Sequence, residues 1–322
     1  MRSVLVLLML SAAWLAMPGF ALPSAEAQPV AAKPRVFAPG VLEVIPPDLN
    51  PEETTSVHDI IELRANRQLN WQPKLIAPSR RLYSKAEGVR FRREIHQLEF
   101  AFKPFRMIYV DLPSPQGVME RRLVWYMVYR VVNRGSAIAP VEQDGGMYVT
   151  QETAGKPVKF SPHFVLEGQD VDAAGEKLYR AYLDRVIPAA VEPIRRRETP
   201  GRKLLTSVQM AEQTIPVSTG ENEQPIWGVA TWVDIDPEMD FFSVFVRGLT
   251  NAYRWEDPPG AYQAGQPPGT GRRFVRKTLQ LNFWRPGDGL LAHESEVRFG
   301  PAPGKEALYG VDEGVAYRWL YR

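Results

Sequence analysis

One stretch sets the terms for the whole chain. Arg121–Asn133 contains the run LVWYMVYRVVN, dense in β-branched and aromatic residues and apolar at both alternating sets of positions. A strand with two apolar faces has to be covered on both, so it belongs in the middle of packed layers. Asn133-Arg134-Gly135 ends it with turn chemistry.

The flanking sequence repeats the theme in weaker form. From Val89 the apolar period is two, through Ile95, Leu98, Phe100 and Phe102, and Met107–Leu112 resumes it beyond Pro104. Gly146–Gln151, Val158–Leu166, Leu204–Val217, Phe274–Phe283, Val297–Phe299 and Val315–Tyr321 read as further strands. Trp227–Asp234 and Phe241–Val246 read as a hairpin closed across Asp236-Pro237-Glu238-Met239, with proline presetting φ at the second turn position. Two helices are expected. Asn50 caps Pro51–Asn70, and Leu178, Tyr182 and Val186 share one face of Ala173–Val186, which Pro188 stops. Many short strands separated by turns predict a mainly β fold: an immunoglobulin-like β-sandwich with an inserted helix near 173–187 and an N-terminal helical or extended arm.

The N-terminus reads as an address. Arg2 forms a short positive region, Val4–Leu15 an apolar one too short to span stably, and Ala25-Glu26-Ala27 a small-x-small cleavage site, with Gly19-Phe20-Ala21 as a second candidate. Residues 1–27 are therefore expected to be an export signal, 28–77 a Pro-rich arm with a short helix, and 78–322 the sandwich. The destination is the periplasm or the medium. The chain has no cysteine, which excludes a thiol-linked lipoprotein anchor, disulfides, thiol catalysis and iron–sulfur clusters. A net charge of +2 gives no global field for nucleic acid, although 29 of the 39 basic residues are arginine. No later run is long and apolar enough for a membrane-spanning helix.

VWYMVYRVVNRG over Val124–Gly135 resembles the strand of bacterial immunoglobulin-like envelope domains that ends in an Asn-x-Gly turn. Together with GVATWVDIDPEMDFFSVFVRGLTNAY and KTLQLNFWRPGDG, it is similar to conserved secreted proteins of planctomycete-type bacteria. The resemblance implies an exported sandwich and carries no activity with it.

Candidate sites are few. The four histidines, His58, His96, His163 and His293, stand in no metal-pair spacing, and no Gly-x-Ser-x-Gly elbow is present. Asp234, Asp236, Glu238 and Asp240 alternate, a pattern able to wrap calcium, although Met239 and Phe245 replace the glycine and the acid of a helix–loop–helix site. Beyond calcium, no cofactor is expected. Tyr253, Arg254, Trp255, Tyr262, Arg272 and Arg273 bring aromatics and arginines into a Pro/Gly-rich loop, the chemistry of an interface at a sandwich end. Arginine clusters recur, among them Arg195–Arg197 and Arg272–Lys277, and read as solvated strand edges or as a contact for an anionic wall polymer, lipid headgroup or acidic partner. The expected function is noncatalytic binding of an envelope protein or polysaccharide. The alternative is a secreted hydrolase using carboxylates near Asp234–Asp240.

Overall fold

The computed structural model describes residues 42–57, 90–220, 222–261, 271–286 and 297–322. All belong to one compact unit, Arg35–Arg322; the other unit, Met1–Pro34, and with it the expected signal, lies outside the described residues. In chain order the body begins with β1 (Glu43–Ile45), a 3-10 turn (Pro51–Thr54), β2 (Thr55–Val57), β3 (Arg90–Arg92), β4 (Ile95–His96), β5 (Glu99–Phe102), β6 (Arg106–Pro113) and β7 (Met119–Val132). Next come β8 (Ala137–Glu142), β9 (Tyr148–Thr153), β10 (Val158–Lys159), β11 (His163–Gly168), β12 (Ala181–Leu183), α1 (Pro188–Glu198), α2 (Ser207–Glu212) and β13 (Thr214–Ile215). The chain closes with β14 (Ile226–Val233), β15 (Phe241–Arg247), β16 (Tyr253–Glu256), β17 (Arg273–Trp284), β18 (Arg298–Phe299), α3 (Glu306–Tyr309) and β19 (Tyr317–Tyr321).

Two antiparallel sheets carry the fold. In the first, β5 and β6 run end to end along one edge of β7, with β1 beyond β5, and β14 pairs along the other edge. Pro104 separates β5 from β6, since it has no N–H to give the ladder. The second sheet has the order β12-β11-β15-β17, with β16 continuing the β15 edge of β17 and β18 and β19 on its far edge.

β7 is the long, doubly buried strand that its sequence demands. Trp125, Met127, Tyr129 and Val131 enter an aromatic core against the second sheet, where Phe105, Phe242 and Phe283 meet with ring centroids 5.2–5.5 Å apart. Val124, Tyr126 and Val128 face the opposite way and are covered by Ile187, Ala190 and Ile194 of α1. The layers are therefore helix, sheet, sheet.

Three local expectations are corrected. Ala173–Val186 is not helical: it holds a turn and the edge strand β12, and Pro188 begins helix α1 instead of ending one. Proline fits the first helical position, where its missing N–H is no loss. Leu204–Val217 contains the capped helix α2, with Thr206 and Gln209 forming a capping box, and only Thr214–Ile215 is strand. Trp227–Asp234 and Phe241–Val246 are not a hairpin, because β14 pairs β7 in one sheet and β15 pairs β11 and β17 in the other. The link between them is an arch from sheet to sheet. Of the expected helix Pro51–Asn70, Pro51–Thr54 is a 3-10 turn capped by Asn50, Thr55–Val57 is strand, and the remainder lies outside the described residues.

Candidate functional site

The aromatic–arginine group expected in a loop sits mainly on a strand. Tyr253, Arg254 and Trp255 belong to β16 and pair with Arg276, Val275 and Phe274 of β17, whose N-terminal half offers a free edge. Tyr262 lies outside the described residues. Each described member has a partner within the chain. The Arg272 guanidinium lies 3.8 Å over Trp255 and grips Asp257 with two hydrogen bonds of 2.8 and 2.9 Å. Arg273 donates to Glu256 at 2.7 Å, Arg254 stacks 4.1 Å over Tyr321, and Arg93 stacks 3.9 Å over Tyr253 while donating to its carbonyl at 2.8 Å. Bidentate, stacked arginine of this kind fixes geometry. The group therefore forms a seam that holds β16 to its surroundings.

Beside it lies an ion pair with no local signature in the sequence. Lys277, 3% exposed, reaches Glu53 at 2.9 Å and Asp48 at 3.4 Å, and Tyr321 donates its hydroxyl to Glu53. Burial, with Glu53 alongside, pushes the Tyr321 phenol well above its ordinary range. The contact joins residues more than 200 positions apart, so no spacing rule could reveal it.

The acidic run occupies the arch between the sheets. Asp234 takes a positive φ of 60°, which turns the chain out of β14, and pairs with Arg122. Asp236 accepts from the Glu238 N–H at 3.0 Å, and its own N–H donates to the Tyr182 hydroxyl at 3.2 Å. Met239 is buried, and Arg285, 4% exposed, donates to the carbonyls of Pro237 at 3.0 Å and Met239 at 3.4 Å. Arg285 was missed by sequence reasoning because it lies 45 or more residues from the carbonyls it binds. Among the described residues no group of three or more His, Asp or Glu side chains is placed to hold a metal, at Asp234, Asp236, Glu238 and Asp240 or elsewhere.

The arch nevertheless shapes a surface. With the turn before β12 it forms a cleft of about 480 Å³ lined by Leu178, Tyr179, Arg180, Tyr182, Asp234 and Asp236, together with Ile235 and Pro237. Leu178 is 55% exposed at its rim. Burial and then Asp170, Asp236, Glu238 and Asp240 raise the Tyr179 phenol. Asp170, which the sequence did not single out, accepts from the Phe241 N–H at 3.2 Å. Its carboxyl is held above the usual range by burial, with Asp240 adding repulsion, and Asp240 is itself raised by burial against the pull of Arg285.

The described histidines lie apart from this cleft. His96 sits in β4, its imidazole pushed toward the neutral form by burial, and His163 is exposed in β11; His58 and His293 lie outside the described residues. Among the described residues, no helix is long and apolar enough to cross a membrane. The chain is thus a cysteine-free, mainly β protein built on two facing antiparallel sheets. Comparison with known proteins finds no family model, curated protein or solved structure that matches it.

Proposed function

We propose that the chain is an exported, noncatalytic binding protein of the bacterial envelope, and that its body is an immunoglobulin-like module recognising its partner at one sandwich end. The order β5/β6, β7, β14 in one sheet and β12, β11, β15, β17 in the other follows the A-B-E and C′-C-F-G arrangement of that class, with β8 and β9 inserted between B and C. The signal-like residues 1–27 support export, and the resemblance to secreted planctomycete-type proteins agrees with it.

The observation that carries the binding role is the end cleft, where exposed Leu178 borders tyrosine walls beside Asp234, Asp236 and Arg180. Aromatic walls and polar rims are interface chemistry, and the loops at sandwich ends are where such modules bind. The expected partner is an envelope protein offering a basic or amphipathic segment. Tagged chain lacking residues 1–27 is used to capture partners from envelope extract, beside Leu178→Asp. A partner retained by the native chain and lost by the variant is expected; equal retention by both refutes the cleft as the contact.

The second reading, a secreted hydrolase with paired carboxylates, draws on Asp170 and Asp240, which repel each other in a half-buried setting. It requires turnover of glycan or peptide substrates that Asp240→Asn abolishes. Turnover that survives the substitution removes this pair as its source.

A further inference from the structure

The outer face of the second sheet, away from both the aromatic core and the end cleft, carries positive charge that the protein leaves largely uncompensated. Arg276 and Arg322 are directly opposed across β17 and the end of β19, joined by reciprocal backbone hydrogen bonds of 3.0 and 3.2 Å. Arg247 stands opposite Thr278, two residues along β17 from Arg276, and is therefore the diagonal neighbour on the same face. Direct pairs hold their Cβ atoms about 5 Å apart and diagonal pairs about 7–8 Å, so three guanidinium groups share one patch. Like charges in such positions oppose sheet pairing.

Compensation is slight. Arg322 donates to Glu167 at 3.1 Å and lies 4.0 Å over the ring of Phe245. Among the described residues, the side chains of Arg247 and Arg276 make no hydrogen bond or ion pair, and the Nε of Arg247 is shielded from solvent without an acceptor. Burial, then Arg276 and Arg322, lower the Arg247 pKa, and no acid offsets them. Asp184, which lies in the field of His163, is engaged by Ser207.

The shape of the patch limits what fits. Arg276 and Arg322 are exposed and Arg247 is half-buried, over a floor of buried residues that includes Thr278 and Phe245; cations spread along and across strands at such a surface suit an extended chain of repeating anions, where a single oxyanion would need donors converging on one point. Phe245 is only 6% exposed beneath Arg322 and Glu167, so this apolar group does not protrude to enter lipid. We propose that Arg247, Arg276 and Arg322 form a docking surface for an anionic polysaccharide, whose closely spaced carboxylate or sulfate groups supply the missing counter-charge. This surface is separate from the end cleft and does not depend on it.

The test uses the chain lacking residues 1–27 and a heparin dodecasaccharide as probe, titrated by calorimetry at rising sodium chloride. Binding that weakens steeply with salt is expected. Arg247→Ala/Arg276→Ala is expected to lower affinity at least tenfold with an unchanged or higher melting temperature, because a repulsion has been removed. Arg196→Ala, in the exposed helix pair with Glu192, is expected to bind as the parent does. Equal binding by the double variant and the parent, or an equal loss in Arg196→Ala, overturns the proposal. So does binding to phosphatidylglycerol vesicles or to a poly-glutamate peptide without binding to the oligosaccharide.

Discussion

The Lys103 ammonium lies 3.0 Å from the Glu198 carboxylate, and neither side chain has more than 1% exposure. Glu198 ends α1, whose inner face covers β7, so this pair ties the helix to the sheet. Lys103 also donates to the Glu198 carbonyl at 2.6 Å, Tyr126 donates to its carboxylate at 2.9 Å, and Arg106 approaches at 3.2 Å. One buried acid thus faces two cations and accepts the Tyr126 hydroxyl beneath the last turn.

Removing that acid strands a buried ammonium. Glu198→Ala is expected to cost about 3–5 kcal/mol, read as a lower urea midpoint at constant m. Lys103→Met/Glu198→Leu should recover most of the loss, because apolar replacements of both partners carry no desolvation cost. A loss below about 1 kcal/mol in Glu198→Ala would show that water reaches the site.

How much of this was legible depended on whether the signal was local. β7, β17 and β19 were readable because β-branched and aromatic density is a property of the strand itself. Ala173–Val186 misled because Leu178, Tyr182 and Val186 are spaced by four, a spacing common to one helix face and one strand face. The arch at Asp234–Asp240 looked like a hairpin because two apolar strands and a proline turn read the same whether the strands pair with each other or with separate sheets. The seam around Trp255 had the right residues in the sequence, but their partners, Asp257 excepted, were far along the chain or undetermined by spacing.

Gly228 illustrates a constraint set by packing. A Cβ added there meets the Tyr129 hydroxyl at 2.5 Å and the Met210 methyl at 2.8 Å. Both neighbours are fully buried, so Gly228→Ala is expected to destabilise by about 1–3 kcal/mol. Thermal denaturation of the variant checks this, and a melting temperature equal to the parent's would contradict it.

Asp184 predicts a pH dependence. Burial raises its carboxyl above the ordinary value, against a hydrogen bond from Ser207 and the field of His163. A raised folded-state value means that its contribution to stability is complete below about pH 4, the unfolded range, and is lost as pH rises through the folded value. Asp184→Asn should therefore narrow the difference in urea midpoint between mild acid and pH 7. An unaltered difference would show that Asp184 titrates alike in both states.

The Arg272 stack offers an optical test. Lysine cannot reproduce both the planar contact with Trp255 and the two-pronged grip on Asp257. Arg272→Lys is expected to cost about 0.5–2 kcal/mol and to alter the tryptophan emission, with Arg272→Ala behaving similarly. If lysine restores both stability and emission, the planar geometry is irrelevant and charge alone matters.

The two-sided burial of β7 also governs how the molecule comes apart. Its odd positions belong to the core between the sheets and its even positions to the core beneath α1. Neither core can lose this strand while the other keeps it. Heating should therefore give a single calorimetric peak for the body, and amides in β7 should exchange with solvent only through global opening, at one common rate for both faces.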